Sequence, residues 1–327
     1  MSVGTSLDKR RQDWERLEVL MNQLAKGKIR GEPGSVSAEI SSLYRAACAD
    51  LSMADQYRLS PDTVAFLHNL VGRAHNTIYR SRRFQYQLWF DVAFREAPRR
   101  IFADPCVHLC GLLFFGLFSF TAVLAVSSDI YPDFPMQVLG ADHISQMEQM
   151  YGDIEFDRSI DDNLAMVAFY IQHNTSIGLE CFAYGPLVIP GLYATAYNAT
   201  FLGTTFGYMA RGDTPGGESF LEFVTAHGAF ELTAIALAAA AGLRIGSGWL
   251  ITSGLSRIAS LQLQARKALP VMSVSAVLFL LAAFTEGLIS PSSLPYVFKA
   301  MWGMFSSSLL MYYFIVLGYP TEASNAA

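Results

Sequence analysis

Residues 106–127 read CVHLCGLLFFGLFSFTAVLAVS, 22 residues with no Asp, Glu, Lys or Arg among them. At about 1.5 Å per helical residue this stretch covers roughly 33 Å, enough to cross a hydrocarbon core about 30 Å thick. A water-facing helix needs a polar face, and this one has none. The stretch therefore predicts a membrane-spanning helix. The whole chain agrees. Of 327 residues, 52% are hydrophobic and 16% charged, against about 25% charged in an average soluble protein. That composition excludes a disordered chain, a collagen-like fibre and a small disulfide scaffold.

Charge is distributed unevenly on either side of this stretch. Residues 1–105 hold 16 of the 23 Lys and Arg and 12 of the 28 Asp and Glu. From 106 onward the basic residues are Arg158, Arg211, Arg244, Arg257, Arg266, Lys267 and Lys299. Between them lie further apolar runs, so that six spans are predicted over about 106–127, 164–185, 191–210, 220–242, 268–289 and 298–318. The fold class expected is all-α: a polytopic helical membrane domain, 106–318, behind a cytoplasmic helical domain, 1–105, with a tail at 319–327. Arg95, Arg99 and Arg100 precede the first span, and Arg244, Arg257, Arg266 and Lys267 lie near the link between the fourth and fifth; basic residues favour the cytoplasmic side. The loop 128–163 carries nine acidic residues and one basic residue, Arg158, and is expected to face outward. Six spans then put both termini in the cytoplasm.

The first hundred residues read as a small helical bundle. Trp14, Leu17, Leu20, Met21 and Leu24 recur at three- and four-residue steps; Gly31-Glu32-Pro33-Gly34 breaks that helix; a second runs from Ser37 through Leu51; Pro61 opens a third that reaches Ile78 and heads towards Phe90. Arg80, Arg82, Arg83, Arg95, Arg99 and Arg100, interleaved with Phe84, Trp89, Phe90 and Phe94, suit a helix at lipid headgroups. A net charge of +4 over this segment is too weak to suggest nucleic-acid binding. The charged first twenty residues predict no cleavable signal peptide. Cys48, Cys106, Cys110 and Cys181 avoid the outer loop, so no disulfide is expected.

The spans carry ionisable and polar side chains, which are costly in a bilayer and therefore informative. They are His173, Asn174 and Glu180 in the second, Asn198 in the third, His227 and Glu231 in the fourth and Glu286 at the end of the fifth. His227 and Glu231 share a helix face. On a continuous span from Phe220, Glu231 lies about 16 Å deep. The second and fourth spans are thus expected to bring His173, His227 and Glu231 together in the outer half. Three roles are open: interhelical hydrogen bonding, an ion or solute route, and metal ligation. A single His-x3-Glu pair is a weak metal signal, and the His-Glu-x-x-His of zinc proteases is absent. Gly203-x3-Gly207 forms a small face that leaves a homodimer open. Gly185-Pro186 and Pro190-Gly191 mark a tight hairpin on the inner side, the favoured reading, or else a discontinuous helix of the kind transporters use.

Six motifs in order carry a resemblance. They are Trp14-x-x-Leu17-Glu18; Leu43-Tyr44-Arg45 with Asp50-Leu51-Ser52; His68-Asn69-Leu70-Val71-x-Arg73-Ala74-His75-Asn76-x-Ile78-Tyr79; His173-Asn174; Ala226-His227-Gly228-x-x-Glu231-Leu232-x-Ala234 with Ala241-Gly242-Leu243-Arg244-x-Gly246; and Glu286-Gly287-x-Ile289-Ser290-Pro291. From about 10 to 310 the chain resembles the stage II sporulation protein M family of integral membrane proteins. Leu288 and His68 depart from that pattern. The resemblance implies a bacterial inner membrane. It also implies a scaffold role beside envelope proteins, with an AAA-type ATPase or a von Willebrand factor A protein as possible partners. It supplies no catalytic residue and no cofactor.

No nucleophile–base set, phosphate loop or paired cysteine site is visible, so neither an enzyme nor a bound cofactor or metal is expected. The first expectation is a scaffold that recruits partners on both membrane faces, with a homo-oligomer open. The alternative is a transporter or channel-like protein using His173, Asn174, His227, Glu231 and Glu286.

Overall fold

A computed structural model describes residues 10–25, 33–78, 86–127, 129–152 and 159–320. Among these the protein is helical, with no strand. The chain divides into two compact units, 1–85 and 86–327.

The first unit contains α1 (Arg11–Ala25), α2 (Pro33–Gln56) and α3 (Pro61–Ile78). Leu17, Leu20, Met21, Ile40, Ala47, Leu67, Leu70 and Ala74 form its core. The apolar residues follow the three- and four-residue steps that place side chains on one helix face. Helix α2 starts at Pro33, four residues before the expected Ser37, because proline is well accommodated in a first helical turn. Two polar pairs tie the unit. Trp14 Nε1 donates to Asp50 Oδ2 at 2.8 Å, and Arg10 sits 2.7 Å from Asp50 Oδ1. Tyr44 Oη and His75 Nδ1 are 3.0 Å apart. The readings at Gly31, Glu32, Tyr79, Arg80, Arg82, Arg83 and Phe84 lie outside the described residues.

The second unit begins with α4 (Tyr86–Asp91), a π turn (Val92–Glu96) and α5 (Ala97–Ala103). These residues stay with the membrane body, which moves the unit boundary about twenty residues ahead of the expected 105/106. The physical reason is their packing on the chain's last helical turns. Tyr313 Oη donates to Ala93 O at 2.5 Å, and Phe94 meets the Tyr313 ring edge-on.

The body continues through α6 (Pro105–Val126), α7 (Phe134–Leu139), α8 (Ala141–Gly152), α9 (Ile160–Tyr184), a 3₁₀ turn (Gly185–Leu187) and α10 (Ile189–Met209). Then come α11 (Gly217–Thr225), α12 (Gly228–Leu250), α13 (Arg257–Phe284) with a π turn (Thr285–Ile289), and α14 (Tyr296–Met311) with a π turn (Tyr312–Val316). Helices occupy all six positions where spans are expected. Three are long and apolar enough to cross a membrane: α6, α12, and α13 with its π turn. Polar residues dilute α9 and α10, and α14 has 16 residues before its π turn. In α6, Leu112, Phe120 and Val123 are more than half exposed. An apolar helix left open on that scale is suited to lipid.

Helix α12 is the central one. Its residues 234–243 are buried on every face, packed by α6, α9, α10 and α13. Close approach there depends on glycine: a Cβ at Gly185 would run into the Gly242 backbone. The Gly203-x3-Gly207 face is also spent inside the chain. A Cβ at either glycine would collide with the carbonyls of Phe118 or Ala122 on α6, so this face is not available to a second copy. The start of α6 and the far end of α12 meet through Asp104 and Arg244, with Nε to Oδ2 at 2.7 Å. The 3₁₀ turn packs on Gly242 and Gly246 nearby. One end of the body is thereby fixed, with α6 and α12 antiparallel.

Two expectations change. The continuous span over 220–242 is two helices, broken at Ala226–His227, where His227 adopts φ −107° and ψ −20° and Gly228 begins α12. Glu231 is then the fourth residue of α12, roughly 5 Å from its start, not 16 Å down an unbroken helix. The segment 128–163 is also more than a loop. Pro135 sits in the first turn of α7, and Ile144 and Met147 bury one face of α8. Asp153, Glu155, Asp157 and Arg158 lie outside the described residues.

Candidate ion-binding cavity

At the end of the body opposite Asp104–Arg244 lies a cavity of about 840 Å³. His173, Asn174, His227, Glu231 and Glu286 all line it. Helix α9 supplies the first two, the break before α12 and its first turn the next two, and the π turn after α13 the last. The π turn is closed by Ser290 N to Thr285 O at 2.9 Å, and such turns occur often at functional sites.

The geometry is specific. Asn174 Nδ2 donates to Glu286 Oε2 at 3.0 Å, with Asn174 fully buried. His227 Nδ1 lies 2.9 Å from Ser290 Oγ, and its Nε2 lies 3.6 Å from Glu231 Oε2. His173 is exposed at the wall and stacks on Phe169 with centroids 5.7 Å apart. Glu180 is exposed and does not join the group. Asn198 is used in packing, donating to Ala194 O at 2.9 Å.

The cavity is roofed by α8 and α11. Tyr151 meets Phe220 and Phe223 edge-on, with centroids 5.1 and 5.9 Å apart. Burial, followed by the neighbouring Tyr170, Glu286 and Glu231, pushes the Tyr151 phenol well above its usual range. Burial also holds the His143 imidazole below its ordinary value. This is a low-dielectric chamber whose floor is polar.

Tyr151 and Thr205 also line the cavity, and Ser290 and Lys299 bond around it without lining it. Lys299 is fully buried on α14 and donates to Glu222 Oε1 at 2.8 Å and to Ser290 O at 2.9 Å. A lone lysine in an apolar run is itself a signal of an intramembrane partner. Thr205 lines the cavity, is 6% exposed, and its hydroxyl has no hydrogen-bond partner among the described residues. Ser290 stood in the sequence only as part of the Glu286–Pro291 motif and Tyr151 in none, and the contacts of both emerge from packing.

The basic trio lies elsewhere in the unit. Arg95, Arg99 and Arg100 border a surface groove together with Asp91 and Glu96. Arg95 pairs with Asp91 at 3.0 Å and Arg100 with Glu96 at 2.6 Å. Cys106, Cys110 and Cys181 are free thiols in or against the core.

Residues 7–80 match a family described as Domain of unknown function (DUF8413). The motifs around Trp14, Asp50 and His75 fall within that match, outside the segment shared with the family of the membrane body. No curated protein and no solved structure matches the chain. Residues 111–291, more than half of the sequence, match Stage II sporulation protein M. They include α9 to α13, the π turn and His173, Asn174, His227, Glu231 and Glu286 of the cavity wall, and the chain belongs to that family.

Proposed function

We propose that this protein is a multi-pass membrane protein of the transporter or channel-like type, which admits a small ion or polar solute to the cavity beneath α8 and α11. The observation that carries the reading is the convergence of His173, Asn174, His227, Glu231 and Glu286 on one cavity. They come from segments more than fifty residues apart. Each ionisable group in a membrane interior costs about 3 kcal/mol on insertion scales. An interhelical hydrogen bond returns only about 0.6 kcal/mol on average. Bonding between helices is therefore a weak reason for this many polar groups, and a cavity of this size falls within the range of small-ligand sites. The test is flux of protons, metal ions and small solutes into proteoliposomes. Glu231→Gln and His227→Ala should lower the rate at least tenfold. Flux equal to wild type in both variants would sink the reading.

A second reading is a scaffold in the bacterial inner membrane, with envelope proteins, an AAA-type ATPase or a von Willebrand factor A protein as partners. The separate compact unit 1–85, with its own core, supports it. Co-purification from native membranes, wild type beside Glu231→Gln, tests it. A chain that retains no stoichiometric partner under gentle solubilisation is not a scaffold. Neither reading assigns a catalytic step.

A further inference from the structure

The inference that follows rests on the cavity being an ion site, and it names the ion. His227, Glu231 and Glu286 each offer one ligand atom, and the three atoms lie within 4.8 Å of one another. Ligands about 2.0–2.2 Å from a tetrahedral metal stand roughly 3.3–3.6 Å apart. The 3.6 Å from His227 Nε2 to Glu231 Oε2 already meets that spacing. The sequence offered only the His227–Glu231 pair. The π turn delivers the third ligand, 55 residues further along the chain.

Two ligands are also held from behind, as metal ligands are. Ser290 Oγ lies 2.9 Å from His227 Nδ1. With Nδ1–H donating to that hydroxyl, Nε2 presents its lone pair on the side of Glu231, 3.6 Å away. Asn174 Nδ2 donates to Glu286 Oε2 at 3.0 Å and fixes that carboxylate. Charge gives a separate reason. Two carboxylates and a neutral imidazole sum to −2, which a divalent cation cancels. Without one, the buried Glu286 and partly buried Glu231 carboxylates crowd together at a cost.

Thr205 is the independent observation. Its hydroxyl is buried and unpartnered among the described residues, and it lines the same cavity. A buried hydroxyl without a partner is unfavourable unless something polar occupies the space before it. We propose that His227, Glu231 and Glu286 bind one divalent first-row transition-metal ion, of the Zn²⁺ or Mn²⁺ kind, with Thr205 facing the water or solute that completes its shell. One imidazole with two carboxylates suits such ions better than Mg²⁺ or Ca²⁺, which prefer oxygen alone.

The full chain in detergent, stripped with chelator, is titrated with Zn²⁺ and with Mn²⁺ by calorimetry. One equivalent per chain is expected. The double variant Glu231→Gln/Glu286→Gln should lose binding, and Ser290→Ala should weaken it about 10–100-fold. X-ray absorption of the loaded wild type should show one imidazole and oxygen ligands at about 2.0–2.2 Å. That reading does not depend on any variant folding. Sub-stoichiometric binding by wild type, a shell without imidazole, or full binding by the double variant overturns the proposal. Proton or solute flux that needs Glu231 in a chain binding no metal overturns it and leaves the transport reading standing. Stoichiometric metal without flux upholds the site and sinks transport.

Discussion

At the scale of single residues, buried charge decides what can be changed. Asp50 is fully buried and has two partners, the Trp14 indole and Arg10. Asp50→Ala leaves a buried indole N–H without an acceptor and a cation without its pair. Leaving the buried indole N–H unpaired costs up to about 3 kcal/mol, while Arg10, about a third exposed, loses little. Hydrogen exchange of the α1 and α3 amides in the intact chain should then accelerate on the order of 100-fold, and an unchanged rate would refute the assignment. Glu39 shows the exposed counterpart. Its hydrogen bond with Arg16, at 2.9 Å, holds its carboxyl below the usual range. A lowered folded value means that the contribution is present above the ordinary carboxylate range and lost as pH falls through the folded value. Both side chains are about half exposed, so the effect on stability is small. Arg16→Gln should move the Glu39 titration midpoint upward by NMR.

At the scale of elements, close helix contact is what the small residues serve. The α6–α10 pair meets across Gly203 and Gly207, where an added Cβ reaches the backbone of Phe118 or Ala122. Gly111 and Gly116 on the same α6 have nothing within 4 Å of an added Cβ. Gly207→Ala should therefore lower the melting temperature in detergent by several degrees, an overpacking cost of about 1–3 kcal/mol. Gly116→Ala should leave it unchanged or raise it, since alanine is the better helix former by about 1 kcal/mol. Equal melting of the two variants would show that the contact is not a tight one. The expected span over 220–242 is interrupted at Ala226–His227: α12 begins at Gly228, and His227 before it lies 2.9 Å from Ser290 Oγ.

At the scale of the molecule, the two ends of the body differ. One end carries Asp104–Arg244 and the α9–α10 turn; the other carries α7, α8, α11 and the cavity. In the topology expected from the charge distribution the first end faces the cytoplasm. In a background lacking the four native cysteines, Leu255→Cys should react with an impermeant maleimide only in inverted vesicles. Asp142→Cys should react only in spheroplasts. Labelling of both from one side would reverse or break the topology.

The sequence by itself determined the class of the protein, because apolar length and charge distribution are one-dimensional properties. The uncharged run at 106–127 is α6, and the periodicity around Trp14 and Leu70 is a helical core. The five polar residues of the candidate site were also legible, since an ionisable group in an apolar run is conspicuous wherever it falls. Only the tertiary structure decided how they meet. Glu286 reaches His227 because a π turn shifts its register, and Glu231 sits at a helix start because the chain breaks at His227. Helix α8 becomes a roof because Met147 and Tyr151 find Phe220 and Phe223. Thr205, Ser290 and Lys299 matter through what surrounds them. Register shifts, breaks and cross-helix neighbours depend on contacts far apart in the chain, and no local pattern encodes them.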